Sequence, residues 1–164
     1  MFRQKSTYSI AQIESVASDT TFSHTTTEEV LIATKDALVD MGFEIENEQK
    51  DLIVTFPMTI EKENFGEYAV EKLRGGYEPV RENRLYEDPS LQLYCLVVPS
   101  RDGIMVKIKT IFEAFHKDML YREVVGKDIN ESYYEIKGDF IECKSTGRTE
   151  KALFDRITNS LRFR

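Results

Sequence analysis

Thr25-Thr26-Thr27-Glu28-Glu29-Val30-Leu31-Ile32-Ala33-Thr34-Lys35-Asp36-Ala37-Leu38-Val39-Asp40-Met41-Gly42 reads as a helix whose two ends are both specified in the chain. Thr26 followed by Glu29 fits a capping box, in which the hydroxyl takes an orphan backbone N–H and the carboxylate reaches back to the cap. Val30, Ala33, Thr34, Ala37, Leu38 and Met41 recur at three- and four-residue spacing, with Lys35, Asp36 and Asp40 mainly on the other side. Gly42 supplies a left-handed stop. Phe43-Glu44-Ile45-Glu46 then alternates apolar and charged, and Asn47-Glu48-Gln49-Lys50-Asp51 reads as a charged turn. Leu52-Ile53-Val54-Thr55-Phe56 is a β-branched strand. A capped helix followed by a hairpin points to an α+β domain and names no reaction.

Outward from this stretch, the clearest sheet signal is a second hairpin. Leu91, Leu93, Cys95 and Val97 alternate with Gln92, Tyr94, Leu96 and Val98, Pro99-Ser100-Arg101-Asp102-Gly103 reverses the chain, and Ile104, Val106, Ile108, Thr110 and Phe112 return along one face. Lys107 and Lys109 point to the other side, which is expected to be wet, and the helix from residue 27 to 41 is the expected cover of the dry one. A closing helix follows Ser145-Thr146-Gly147, with Ala152, Leu153, Phe154, Ile157 and Leu161 as its buried stripe. The fold class expected is therefore α+β. A single antiparallel sheet of about four to six strands is covered on one face by two helices, in helix–hairpin–hairpin–helix order.

Residues 1–19 are rich in Ser, Thr and Gln and read as a tether, leaving residues 20–164 as a single domain with a charged insertion at about 61–88. Within the insertion, Phe65, Tyr68, Ala69 and Leu73 share one helical face, so a short helix from about Glu61 to Arg74 is expected. Arg74, Tyr77, Arg81, Arg84 and Tyr86 then interleave aromatic rings with guanidinium groups, the composition of contact surfaces; the segment reads first as a solvated loop and next as the candidate interaction surface. The segment 113–146 is ambiguous between a continued strand, a short helix and separate strand pieces around Gly138-Asp139.

A formal charge of −7, from 22 Lys and Arg against 29 Asp and Glu, opposes nucleic acid as a partner. No stretch approaches the roughly 20 apolar residues that span a bilayer. Met1-Phe2-Arg3-Gln4-Lys5 is followed by no apolar export segment, which leaves a cytoplasmic chain or a form whose signal has been removed. Cys95 and Cys143 lack C-x-x-C spacing and read first as buried thiols, with a disulfide as the next reading. No catalytic residue, cofactor or metal ligand is assigned. His24 and His116 sit in no recognisable signature, and Tyr121-Arg122-Glu123 and Asp139 are the polar positions to inspect for perturbed titration.

Phe22-Ser23-His24, Thr27-Glu28-Glu29-Val30, Leu38-Val39-Asp40-Met41-Gly42-Phe43-Glu44-Ile45 and Asp51-Leu52-Ile53-Val54-Thr55 together resemble a recurrent pattern of small bacterial envelope lipoproteins. The layout is similar to the domains of the C lipoprotein of the outer-membrane barrel-assembly complex, whose closing helix stripe is matched here by Phe154, Ile157 and Leu161. The resemblance spans roughly residues 20–57, 91–112 and 147–163, without a lipobox Cys and with the longer insertion at 61–88. It implies a non-enzymatic interaction or structural module, periplasmic or outer-membrane-associated. Such a module would bind another protein and reach the membrane only through a lipid anchor outside the present numbering. The opposing reading is a helix-grip domain in which some of the ten Phe and eight Tyr line a cavity for a small apolar ligand.

Overall fold

A computed structural model describes residues 18–61, 64, 68–73, 76–79, 86–125 and 132–163 of the chain. The elements are β1 (Ser18–Phe22), α1 (Thr27–Asp40), β2 (Ile45–Gln49), β3 (Leu52–Thr55), β4 (Met58–Thr59), β5 (Ala69–Leu73), β6 (Gly76–Pro79), β7 (Tyr86–Ser100), β8 (Gly103–Val125), β9 (Ser132–Ser145) and α2 (Arg148–Arg162). The fold is α+β with one antiparallel sheet in the order β2-β3-β7-β8-β9-β5-β6, to which β1 adds by pairing with β8 and β4 by pairing with β7. The nine strands among the described residues exceed the expected four to six, with Ala69–Leu73, Gly76–Pro79 and Ser132–Ser145 among the additions. The chain divides into two compact units, one of Met1–Met58, Gln92–Ile111 and Gly147–Arg164, the other of Thr59–Leu91 and Phe112–Thr146.

In the first unit α1 forms where its local signals place it. The Glu29 N–H donates to Thr26 Oγ1 at 3.2 Å, satisfying one orphan donor of the first turn. The reciprocal half of the capping box goes elsewhere, because the Glu29 carboxylate accepts from Thr25 Oγ1 at 2.8 Å. At the far end the Gly42 N–H donates to Val39 O and the Phe43 N–H to Leu38 O, both at 3.0 Å. That pair of bonds is a Schellman stop, and it requires the left-handed φ of +91° that Gly42 adopts.

The hairpin after α1 turns later than its charges suggest. Asn47, Glu48 and Gln49 lie in β2, opposite Val54, Ile53 and Leu52, so Lys50 and Asp51 alone make the turn. Lys50 takes a φ of +50°, and a bulge between Ile45 and Asn47 absorbs the register. Beyond Val54, which pairs with Tyr94, side chains hold β3 to β7: the Leu93 N–H donates to Thr55 Oγ1 at 3.0 Å, and Gln92 Nε2 donates to Thr55 O at 2.8 Å. Lys35 and Glu48 form an ion pair at 3.1 Å between α1 and β2, both about a third exposed and therefore worth at most about 0.5 kcal/mol.

The core of this unit lies between the helices and one face of the sheet. Val30, Ala33, Ala37 and Leu38 of α1 and Leu153 and Ile157 of α2 are buried, as are Ile53, Leu93, Cys95, Val97, Val106 and Ile108 of the sheet. Burying each large aliphatic side chain in this set contributes about 1.5–3 kcal/mol of transfer free energy. Of the expected α2 stripe, Leu153 and Ile157 are buried, while Ala152, Phe154 and Leu161 are half-buried.

The opposite face is drier than expected. Lys107 and Lys109 are partly exposed there, but Tyr94, Leu96 and Ile111 are buried and pack with Leu52, Val54 and Val98. The cause is cross-strand pairing. Leu52 stands opposite Leu96 and Val54 opposite Tyr94, so apolar side chains of neighbouring strands cover one another.

In the second unit the helix expected from Glu61 to Arg74 gives way to strand at Ala69–Leu73. Val70 and Glu71 pair with Pro79 and Glu78 of β6, while Ala69 and Val70 pair with Ser145 and Lys144 of β9. Ladder bonds on both sides of this segment outweigh a helical spacing that lacked caps. The ambiguous segment after Phe112 continues as strand to Val125 and pairs with β9 from Phe112↔Cys143 to Val125↔Ser132.

Candidate functional site

Strand β1 pairs with β8 through five consecutive positions, from Ser18↔Ile108 to Phe22↔Ile104. Among the described residues β8 is its only strand partner, and no described strand takes the other backbone edge of β1. Phe22 is buried at the end of the strand, and Ser23, His24 and Thr25 then turn the chain into α1. His24 makes that corner in the left-handed region at a φ of +57°, which is uncommon for a residue other than glycine. The corner is tied down by the hydrogen bond from Thr25 to Glu29.

The other edge of β1, this corner and the last turns of α2 together line a groove of about 610 Å3 that is open to solvent. Hydroxyls dominate its polar lining, from Thr20, Thr21, Ser23, Thr25 and Thr158. Phe22 and Leu161 supply apolar surface, and the ionisable groups are His24, Glu29 and Arg162. Thr158 already donates its hydroxyl to Phe154 O at 2.8 Å, and the Glu29 carboxylate is engaged by Thr25. What the groove offers is therefore a short stretch of strand edge at Thr20–Phe22 with the end of α2 as a wall beside it. Its mouth is open, unlike the enclosed apolar cavity that a helix-grip binder uses.

The surface expected at Arg74, Tyr77, Arg81, Arg84 and Tyr86 falls largely on residues outside the described ones. Arg74, Arg81 and Arg84 lie outside the described residues, Tyr77 lies in β6 opposite Lys72, and Tyr86 opens β7. In the β8–β9 ladder, Asp139 stands opposite His116 and Glu123 opposite Tyr134. The tether expected over residues 1–19 falls outside the described residues up to residue 17, and Ser18 and Asp19 are the first residues of β1. Sequence reading missed the groove. The available signal was the run Ser18-Asp19-Thr20-Thr21-Phe22, β-branched in its centre and free of Lys and Pro.

Cys95 and Cys143 are both buried thiols and form no disulfide with each other. Burial pushes the Cys95 thiol from an ordinary 9.0 up to about 12, because the interior does not solvate a thiolate. The unfolded chain gives up this proton near 9.0 and the folded chain only near 12, so the stability contribution is intact below the first value and is lost as pH climbs toward the second. Native protein is expected to resist alkylation of Cys95 at mildly alkaline pH and to react fully in urea, read by mass spectrometry of the Cys95 peptide. Equal labelling rates in the two states would refute the burial of this thiol. Among the described residues no group of three His, Cys, Asp or Glu side chains is placed to hold a metal ion, and no helix is long and apolar enough to cross a membrane. Set against known proteins, the chain matches no protein-family model, no curated protein and no solved structure.

Proposed function

We propose that this chain is a non-enzymatic interaction module of the bacterial cell envelope, acting on another polypeptide through the groove beside β1. The observation that carries the proposal is the edge of β1 at that groove, which no described strand takes. Unpaired strand N–H and C=O groups recognise other backbones, and a side wall confines the incoming segment to one line. The envelope placement is supported by the helix, glycine stop and hairpin of residues 26–55, which resemble those of small envelope lipoproteins. In that setting the module is periplasmic or outer-membrane-associated, and its membrane contact is a lipid anchor outside the present numbering.

The test is site-specific photo-crosslinking in the native cell, with the photoreactive residue at Thr21 or Leu161 in the groove and at Asp155, exposed on α2, as control. A discrete protein adduct from the groove positions and none from Asp155 is the expected result. Equal or absent adducts from all three overturn the interaction role. Fractionation of the same cells places the protein with the envelope, and recovery wholly in the cytosol overturns the placement while leaving the groove's role standing.

A further inference from the structure

Resting on the groove reading above, we infer that its occupant is the β1 strand of a second copy of this chain, paired antiparallel about a two-fold axis at Thr20. The backbone of β1 decides which groups are available. A Cβ placed on Gly103 would lie 2.2 Å from Phe22 O, so that carbonyl is aimed at β8. In an antiparallel ladder, residues alternate between bonding one neighbour and the other. Ser18, Thr20 and Phe22 therefore bond to β8, and the N–H and C=O of Asp19 and Thr21 point away from it, those of Thr21 at the groove and those of Asp19 beyond the residues that line it.

This edge carries less protection than the outer strands of the sheet, with Asp19 as its one charge. β2 has a bulge between Ile45 and Asn47 and the charges of Glu46 and Glu48, and β6 is four residues long and ends in Pro79. Ser18–Phe22 has a regular register and neither Lys nor Pro. A weakly protected edge is a template for another strand.

The sequence of that edge is self-complementary in one register. With Thr20 opposite Thr20 of the second copy, each Asp19 meets the Thr21 of the other copy, so outward-facing groups meet outward-facing groups. Both such pairs then exchange backbone hydrogen bonds, and all five residues overlap. Sliding the strands by one position sets outward groups against inward ones. Centring on Asp19 puts two carboxylates face to face, and centring on Thr21 shortens the overlap. A two-fold pairing also brings the α2 ends of both copies to the seam, where Leu161 lines the groove and Phe163, which follows Arg162, is 89% exposed.

Sedimentation velocity of the full chain over a range of concentrations tests the pairing, with hydrogen exchange read at Asp19 and Thr21. A concentration-dependent dimer is expected, with those two amides protected only in the dimer. Thr21→Pro removes an outward N–H and no bond to β8, so it is expected to be a monomer with unchanged circular dichroism. Thr21→Lys sets an ammonium opposite Asp19 of the other copy and tightens the dimer roughly tenfold, while Thr21→Asp weakens it by a similar factor. A wild-type monomer at every concentration, a Thr21→Pro variant that still dimerises, or amide protection independent of concentration would each overturn the pairing. If the chain is monomeric and groove crosslinks still capture a different protein, only the second-copy assignment falls. Failure of both removes the interaction role as well.

Discussion

Phe112→Ala is expected to cost about 3–5 kcal/mol, because it empties one of the largest fully buried side chains of the protein. Phe112 lies in β8 within the second unit, opposite Cys143 of β9, with its ring 6.5 Å from that of Tyr68 in a stacked arrangement. Both strands are held in register on either side, so the surroundings have little freedom to collapse into the space. Against a typical total of about 5–15 kcal/mol for a domain, the loss removes a large share of stability. Urea unfolding followed by fluorescence or circular dichroism measures it, with the midpoint falling and the slope unchanged. If the two units unfold separately, the transition that moves belongs to the unit containing Phe112. A change below about 1 kcal/mol would mean that the ring is not packed as described.

Gly103→Ala is the second large effect, and its cause is backbone rather than core volume. Gly103 sits at a φ of +149°, and an added Cβ would meet Phe22 O at 2.2 Å, Phe22 C at 2.9 Å and Ser23 Cα at 3.1 Å. All three are main-chain atoms, so no side-chain rotation relieves the clash. Either β1 detaches from β8 or the turn is rebuilt. Strain at an incompatible φ together with overpacking costs about 3 kcal/mol, which for a chain of this length lowers Tm by on the order of 10 °C. The damage should be local, with faster amide exchange in β1 and at its partner Ile104 and little change in β9. Since β1 floors the groove, the same variant is expected to lose self-association. A melting temperature within about 2 °C of the wild type would show that the close approach of Gly103 to Phe22 does not exist.

Some elements could be read because their determinants are local. Thr26, the stripe from Val30 to Leu38 and the stop at Gly42 act within a few residues of one another, and α1 forms between them. The alternation from Leu91 to Val97 and from Ile104 to Thr110 likewise places one set of side chains on the helix-covered face. Ala69–Leu73 was misread because its helical spacing is real, but Val70 is bound in the folded chain by Pro79 on one side and Lys144 on the other. The wet face was misread for the same reason, since Leu96 and Tyr94 are dried by Leu52 and Val54 of another strand. Candidate contact residues chosen by composition, Arg74, Tyr77, Arg81, Arg84 and Tyr86, are none of the residues that line the groove.

By itself, the sequence determined the class, the two helices, the glycine stop and the alternating strands, all of which follow from propensity and spacing over a turn or two of chain. Tertiary structure alone decided that Ser18–Phe22 pairs with Ile104–Ile108, that no described strand takes its other edge, and that the end of α2 stands beside it. An edge is a property of pairing, and pairing is settled by which distant strands bury their side chains together.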